Sequence, residues 1–539
     1  MAWEEIAKKK QDARHDAVQA AAKYSNDRET PAQLEYKSLT NITTGIINGE
    51  ITAESITLSA ISSAVKAHLD TNCLSEPLFD QALDQARCLD EYFLETGRLV
   101  GPLHGVPISV KDQFNVKGVD TTLGYVGSSF KPARADAVLV RILKSLGAVV
   151  VAKTAIPQSI LWGETESPLW GVTTYPGRPE LTPGGSSGGE AALLAMNGSL
   201  IGWGTDIGGS IRGPAHICGL FGLKPTSTRF PYAGVPVSHE GQSHVPSSIG
   251  PLARDLETLV AATREFINAE PWLLDPNVTP LPWREDMYQS IQNQRLRIGV
   301  IFDDGVVKPH PDIEVAVRQA AILLERAGHE VIQWSTSDHL SCINIMDQFY
   351  RADGGEDIRL AVSEAGEPLI PHVQALVDSA KPISVYEYWQ LSRQRTAAQI
   401  AYNKKWNETT DDEGRCVDVI ISPVLPHTAV PHRSACWTGY TKIWNFLDYA
   451  ALAVPFSSVG GPQGMDEEHE LGLGSEEARR RFEEHQPRNA MDKQNQQTYD
   501  PVLLHGLPVG VQIIGRRFEE EKVLGVAKVL DDLRNRQHA

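Results

Sequence analysis

Two serines of this chain sit in glycine-rich settings that suit nucleophilic chemistry. Ser186 lies in Gly184-Gly185-Ser186-Ser187-Gly188-Gly189, and Ser210 closes Gly208-Gly209-Ser210, 24 residues further on. Glycine lacks a Cβ and lets backbone or ligand approach closely. A hydroxyl flanked by glycines is therefore open both to a substrate and to main-chain N–H groups. Those are the components of acyl transfer: a serine nucleophile, with backbone donors aimed at a developing oxyanion. Turns and flexible linkers share this composition. The stretch that follows, Glu190 to Ile201, argues against a linker, because Ala191, Leu193, Leu194 and Ala195 have the spacing of a short buried helix. A phosphate-binding loop fits poorly, since no lysine stands where the P-loop pattern needs one. Gly202-Trp203-Gly204 with Gly208 is one residue too long for GxGxxG.

A base must come from elsewhere in the chain. Val106 to Val110 is predicted to be a short apolar strand, and Lys111-Asp112 stands at its end. Side chains of α/β folds project toward ligands at such ends. A solitary lysine is ordinarily a solvated surface charge, but one that directly follows a buried strand is a candidate for chemistry. His216, six residues beyond Ser210 and flanked by Ala215 and Ile217, reads as a core residue.

The elements around these residues alternate. Helices are predicted within 39–66, with Thr52 and Ser55 as capping hydroxyls, and over 82–95. A helix over 136–146, stopped by Gly147, precedes a strand over 148–153. The sequence RIGVIF at 297–302, a helix over 311–327 and a strand over 330–334 repeat the pattern. A proline-rich connector spans 271–283, and VDVIIS at 417–422 is a further strand. The segment 460–500 is dense in charge and reads as a surface insertion with one helix. A single domain over 1–539 is expected, with an N-terminal helical arm over 1–35.

Composition narrows the class. The 539 residues are 41% hydrophobic and 22% charged, as in ordinary globular proteins. A net charge of −18 argues against a nucleic-acid or anionic-membrane partner. Six scattered cysteines without a CxxC, and the lack of HExxH, give no zinc site or disulfide framework, so no metal and no cofactor is expected. No apolar run is long enough to span a membrane and no signal peptide is legible, which makes the cytoplasm the expected location.

Taken in order, GPLHGVPISVKD, GGSSGGE, GTDIGGSIR with CGLFGLKPT, and HGLPVGVQIIGRR resemble the amidase signature family. The likeness covers about 39–455 and resumes at 501. Pro231-Tyr232-Ala233, Glu240-Gly241-Gln242, Glu270-Pro271-Trp272 and Pro282-Trp283-Arg284 are similar to the fungal acetamidase branch. The resemblance implies an α/β fold with a large twisted mixed sheet covered by helices on both sides. It implies a Ser–cis-Ser–Lys set, with Ser210 as nucleophile, Ser186 after a cis peptide as the bridge, and Lys111 as base. Oxyanion donors are implied at the backbone of Ile207, Gly208, Gly209 and Ser210, beside Ser186. Asp206 and Arg212 are implied as loop supports, and Ser187 as a network member. Tyr175-Pro176-Gly177-Arg178 and Ala215-His216-Ile217-Cys218 depart from the usual family pattern at the rim of the site.

The expected activity is hydrolysis of a small carboxamide to carboxylate and ammonia or amine through an acyl-enzyme. The alternatives are a hydrolase of a larger secondary-metabolite or fatty acid amide, an amidotransferase subunit, and a non-enzymatic binder on the same scaffold. Retention of Lys111, Ser186 and Ser210 together argues against the last. Trp162, Trp170, Trp203 and Trp437 are candidate pocket walls. Family members are often homodimers, and oligomeric state is left open.

Overall fold

The central strands are buried at every residue, so both faces of their sheet must be covered. In the computed structural model, which describes residues 2–26, 38–461, 469 and 471–538, eleven strands form one mixed sheet. They are β1 Leu74–Pro77, β2 Pro107–Lys111, β3 Val149–Thr154, β4 Ile201–Asp206, β5 Phe221–Lys224 and β6 Ser248–Ala253. The series continues with β7 Arg297–Val300, β8 Glu330–Gln333, β9 Val419–Pro423, β10 Ala451–Ser458 and β11 Pro508–Ile514. Their order across the sheet is β1-β3-β2-β4-β6-β5-β10-β11-β9-β7-β8. β3, β2 and β4 run parallel, as do β9, β7 and β8; the strands between them are antiparallel.

Helices cover both faces. Ile108 and Val110 of β2 pack with Leu139, Val140 and Phe266, from the helices Val138–Ser145 and Leu256–Asn268. Val149 and Val151 of β3 pack on the other side with Ile61, Ala82 and Leu193. Those residues belong to the helices Ala53–Thr71, Phe79–Thr96 and Gly188–Ala195. Thr52 and Ser55 form the capping box of the first of these.

Two outcomes differ from the sequence reading. Residues 201–206, for which no strand was read and whose first residue closed the expected helical stretch, form the central strand β4. Its glycines are required by contact: a Cβ on Gly202 would lie 2.4 Å from Glu190 Oε2, and one on Gly204 would lie 2.9 Å from Ser187 Oγ. The charged segment holds two helices, Ser475–Glu483 and Ala490–Gln497, rather than one. Both are anchored: Phe482, Asp492 and Asn495 are buried, and Ala478 packs on Val315 of the helix Pro311–Arg326. Residues 462–468 and 470 of that segment lie outside the described residues. Of the N-terminal arm, the helix Trp3–Ala21 lies across the β1 edge, with Arg14 donating to the Leu74 carbonyl; residues 1 and 27–35 lie outside the described part.

Candidate active site

Adjacent parallel strands deliver their terminal side chains to a common point. β2 and β4 are such neighbours, and their ends bring Lys111 and Thr205 together. Lys111 Nζ lies 2.7 Å from Ser186 Oγ and 2.8 Å from Thr205 Oγ1. The Thr205 hydroxyl donates to Gln113 Oε1 at 2.7 Å. A carboxamide oxygen only accepts, so Thr205 presents a lone pair to Lys111 and takes one of its N–H groups. In the neutral amine this leaves the nitrogen lone pair for the Ser186 hydroxyl. Lys111 is fully buried, and burial brings its pKa down to about 7 against the opposing pull of Asp206, Glu190 and Asp112.

The carboxylates near Lys111 face different partners. Asp112 Oδ2 accepts from the N–H groups of Thr122 and Leu123, both at 2.9 Å, so it secures the 122–123 turn. Glu190 lies on the Lys111 side of β2. Its oxygens accept from Ser109 Oγ at 2.6 Å and Thr154 Oγ1 at 2.8 Å. Burial pushes its pKa up to about 8, although both hydroxyls and Lys111 favour the charged form. Asp206 is also fully buried, which by itself would raise its pKa. The Arg212 guanidinium, at 2.9 and 3.0 Å, holds it well below the usual carboxylate range instead.

The loop Ile207–Ser210 follows β4 and turns over Asp206. Asp206 accepts from the N–H groups of Gly209 at 2.8 Å and Ile211 at 3.2 Å. Gly209 has φ +126°, and a Cβ there would lie 2.3 Å from Thr441 Oγ1, so the position admits only glycine. Three successive carbonyls of the loop are anchored. Asn445 Nδ2 donates to Asp206 O at 3.0 Å, the Tyr350 hydroxyl to Ile207 O at 2.8 Å, and Thr441 Oγ1 to Gly208 O at 2.7 Å. Among the described residues, the N–H groups of Ile207, Gly208 and Ser210 donate to no protein acceptor. That of Gly209 is taken by Asp206, which distinguishes it from the other three implied oxyanion donors.

The Gly185–Ser186 peptide is cis. The N–H of Ser187 donates to the Ser210 carbonyl at 3.2 Å and ties the two serine loops together. The Ser187 hydroxyl is buried and makes no hydrogen bond among the described residues. Ser210 is partly exposed, and with Gly185, Ile207, Gly208 and Gly209 it lines a cleft of about 330 Å³. Leu161, Trp162, Leu376, Leu425 and Trp437 form much of its apolar wall. Trp170 and Trp203 do not reach it; both are buried in the core, Trp203 against Phe230 and Phe266. His216 is buried as well, its Nε2–H donating to His427 O at 3.0 Å and its Nδ1 accepting from Gly510 N–H at 2.9 Å. Burial lowers its pKa to about 4, so it is neutral and structural.

Several residues escaped the sequence reading. Thr205, Gln113 and Glu190 stand inside motifs that were legible, so their neighbourhood was a signal. Tyr350, Thr441 and Asn445 come from helices distant in sequence, His339–Phe349 with its cap and Gly439–Leu447, and no local pattern marks them.

The chain as a whole is similar to known proteins. The family model described as Amidase matches residues 55–524. The chain is 50% identical over 531 residues to Amidase 1 of Gibberella moniliformis, covering 98% of this chain and 99% of that protein. It is 37% identical over 510 residues to Acetamidase of Emericella nidulans, covering 94% and 90%. Among solved structures, one titled fatty acid amide hydrolase superposes with a TM-score of 0.86 at 30% identity, covering 98% of this chain and 94% of that one. No helix among the described residues is long and apolar enough to cross a membrane. The chain belongs to the amidase family, the amidase signature enzymes, in its fungal acetamidase-like branch, and it is an amide hydrolase.

Proposed function

We propose that the protein hydrolyses a carboxamide through Ser210, with Ser186 and Lys111 moving the proton. One observation carries this reading: buried Lys111, its pKa near 7, touches Ser186 at 2.7 Å beside the Ser210 loop. Ser210 Oγ attacks the amide carbon, its proton passes to Ser186, and the Ser186 proton passes to the Lys111 lone pair. The carbonyl electron pair moves onto oxygen, where the free N–H groups of the 207–210 loop stabilise it. Collapse re-forms the carbonyl and breaks the C–N bond. The departing nitrogen takes a proton from Ser186, which recovers one from Lys111. Water then attacks the acyl-enzyme by the same proton route and releases the carboxylate and Ser210.

The cleft bears on the size of the substrate. A cleft of about 330 Å³ with walls at Leu161, Trp162, Leu376 and Trp437 has room for acyl groups well beyond acetyl. This favours a larger amide, and the similarity to a fatty acid amide hydrolase structure supports the same direction. The net charge of −18 supports a stand-alone hydrolase over an amidotransferase subunit that must meet tRNA.

Steady-state assays of acetamide and phenylacetamide test both points. Ser210→Ala should lower kcat/KM by about 10⁴-fold or more with the fold intact, and Ser186→Ala by about 10²-fold, because water can stand in for the relay. Substantial turnover by Ser210→Ala removes the serine reading. Higher kcat/KM for acetamide than for phenylacetamide removes the larger-amide reading.

A further inference from the structure

We infer that Tyr350, itself part of the cleft wall, is a positioning residue for the oxyanion site, aiming the Gly208 N–H at the reacting carbonyl by holding the Ile207 carbonyl through its hydroxyl. The inference rests on the serine reading above and concerns a residue outside every recognisable motif.

A trans peptide is rigid, with its C=O and its N–H pointing in opposite directions. Fixing the Ile207 carbonyl therefore fixes the direction of the Gly208 N–H. The Tyr350 hydroxyl makes that contact at 2.8 Å, across 143 residues of sequence. Gly208 cannot hold the plane by side-chain packing, since it has none. The other anchors differ in kind. Thr441 Oγ1 divides one hydrogen between Gly208 O at 2.7 Å and Thr438 O at 2.9 Å. The plane that Thr441 holds carries the Gly209 N–H, which Asp206 already occupies. Asn445 holds the Asp206 carbonyl and so the preceding plane, with the Ile207 N–H. Tyr350 acts on the central plane of the loop, and its hydroxyl has Ile207 O as its one recorded acceptor among the described residues.

The rest of Tyr350 is held independently of this bond. It caps the helix His339–Phe349 and packs in a buried cluster with Phe349, Ile443 and Trp444. Lys442 lies 5.9 Å from its ring centroid and pairs with Asp347 at 2.7 Å. Burial raises the phenol pKa well above its ordinary value, so the hydroxyl remains a donor throughout the working range. Removing only the oxygen therefore releases the Ile207 carbonyl while leaving the ring, its packing and the ion pair in place.

Tyr350→Phe is the test, read against wild type on one amide and one aryl boronic acid, which forms a tetrahedral adduct with a nucleophilic serine. The expected result is a fall of about tenfold in kcat, less than the loss of an oxyanion donor itself, with KM within about twofold. Boronate affinity should fall by the same factor as kcat/KM, while the melting temperature and the pH at half-maximal kcat/KM stay at the wild-type values. Unchanged kcat and boronate affinity would overturn the inference, and so would a raised KM with unchanged kcat, which marks a substrate-binding role. A lowered melting temperature with kcat and boronate affinity intact would also overturn it, as the mark of a purely structural hydroxyl. Each of these leaves the serine reading standing. That reading fails separately, if Ser210→Ala keeps its activity or its boronate affinity.

Discussion

At the residue scale the decisive quantity is the protonation of Lys111. A lysine at the end of a buried strand loses hydration, and no anion among the described residues touches it directly; its contacts are the hydroxyls of Ser186 and Thr205. Its pKa of about 7 places the neutral form within reach at working pH. The kcat/KM profile should therefore rise from acid pH through a midpoint near 7 and level off above it. Lys111→Ala should lose most activity together with that limb; an unchanged limb in this variant would assign the base elsewhere. Stability follows a related rule. Between about pH 7 and the unfolded lysine value near 10.4, the unfolded chain binds the Lys111 proton and the folded one does not, so the Lys111 contribution to stability rises with pH across that window. Glu190 runs the other way. Its folded pKa of about 8 exceeds the usual carboxyl value, so its contribution falls as pH rises from about 4.3 to 8. Lys111, Ser186 and Ser210 were legible in the sequence because each sits in a run of glycines or at a strand end. Glu190 was quoted in a motif but not recognised, because its relevance lies in hydroxyls from Ser109 on β2 and Thr154 on β3.

At the scale of elements, the site is a loop clamped between strands and helices. Asp206 at the end of β4 gathers the N–H groups of Gly209 and Ile211 and the guanidinium of Arg212, which also reaches Gln512 of β11 at 3.1 Å. Arg212 and Asp206 are both fully buried. Substituting Arg212 by Met should leave a buried carboxylate without its cation, at a cost of about 3–5 kcal/mol. Urea titration of Arg212→Met measures this directly. A loss below about 1 kcal/mol would mean that the pair is not what holds the loop. β4 was not legible because Gly202 and Gly204 interrupt any run of strand-forming residues. They are glycines because the helix Gly188–Ala195 and the Ser186 loop press against that strand, as the contacts of Glu190 and Ser187 show. Strand propensity was overridden by a packing demand that lies elsewhere in the chain. β5 was passed over because it lies inside CGLFGLKPT, a stretch read for its motif, while β6 and β10 lie in stretches for which no element was read.

At the scale of the molecule, the α/β character and the alternation around β2, β3 and β7 to β8 were visible, whereas the order of eleven strands was not, since pairing is decided by long-range contact. The proposed site depends on that order. Lys111 ends β2, Thr205 lies near the end of β4, and the cleft walls come from segments around 160, 350, 375 and 437. The segment 475–497 joins the same body through Phe482, Asp492 and Asn495 rather than standing off as an appendage. The proposed reaction passes through one covalent event, and that event can be trapped. Wild-type protein should be acylated with a slowly released ester, digested, and mapped by mass spectrometry, beside Ser210→Ala and Lys111→Ala. The expected result is one acyl group on the peptide carrying Ser210, absent in Ser210→Ala and forming far more slowly in Lys111→Ala. An acyl group on another residue, or full labelling of Ser210→Ala at the wild-type rate, would contradict Ser210 as the nucleophile.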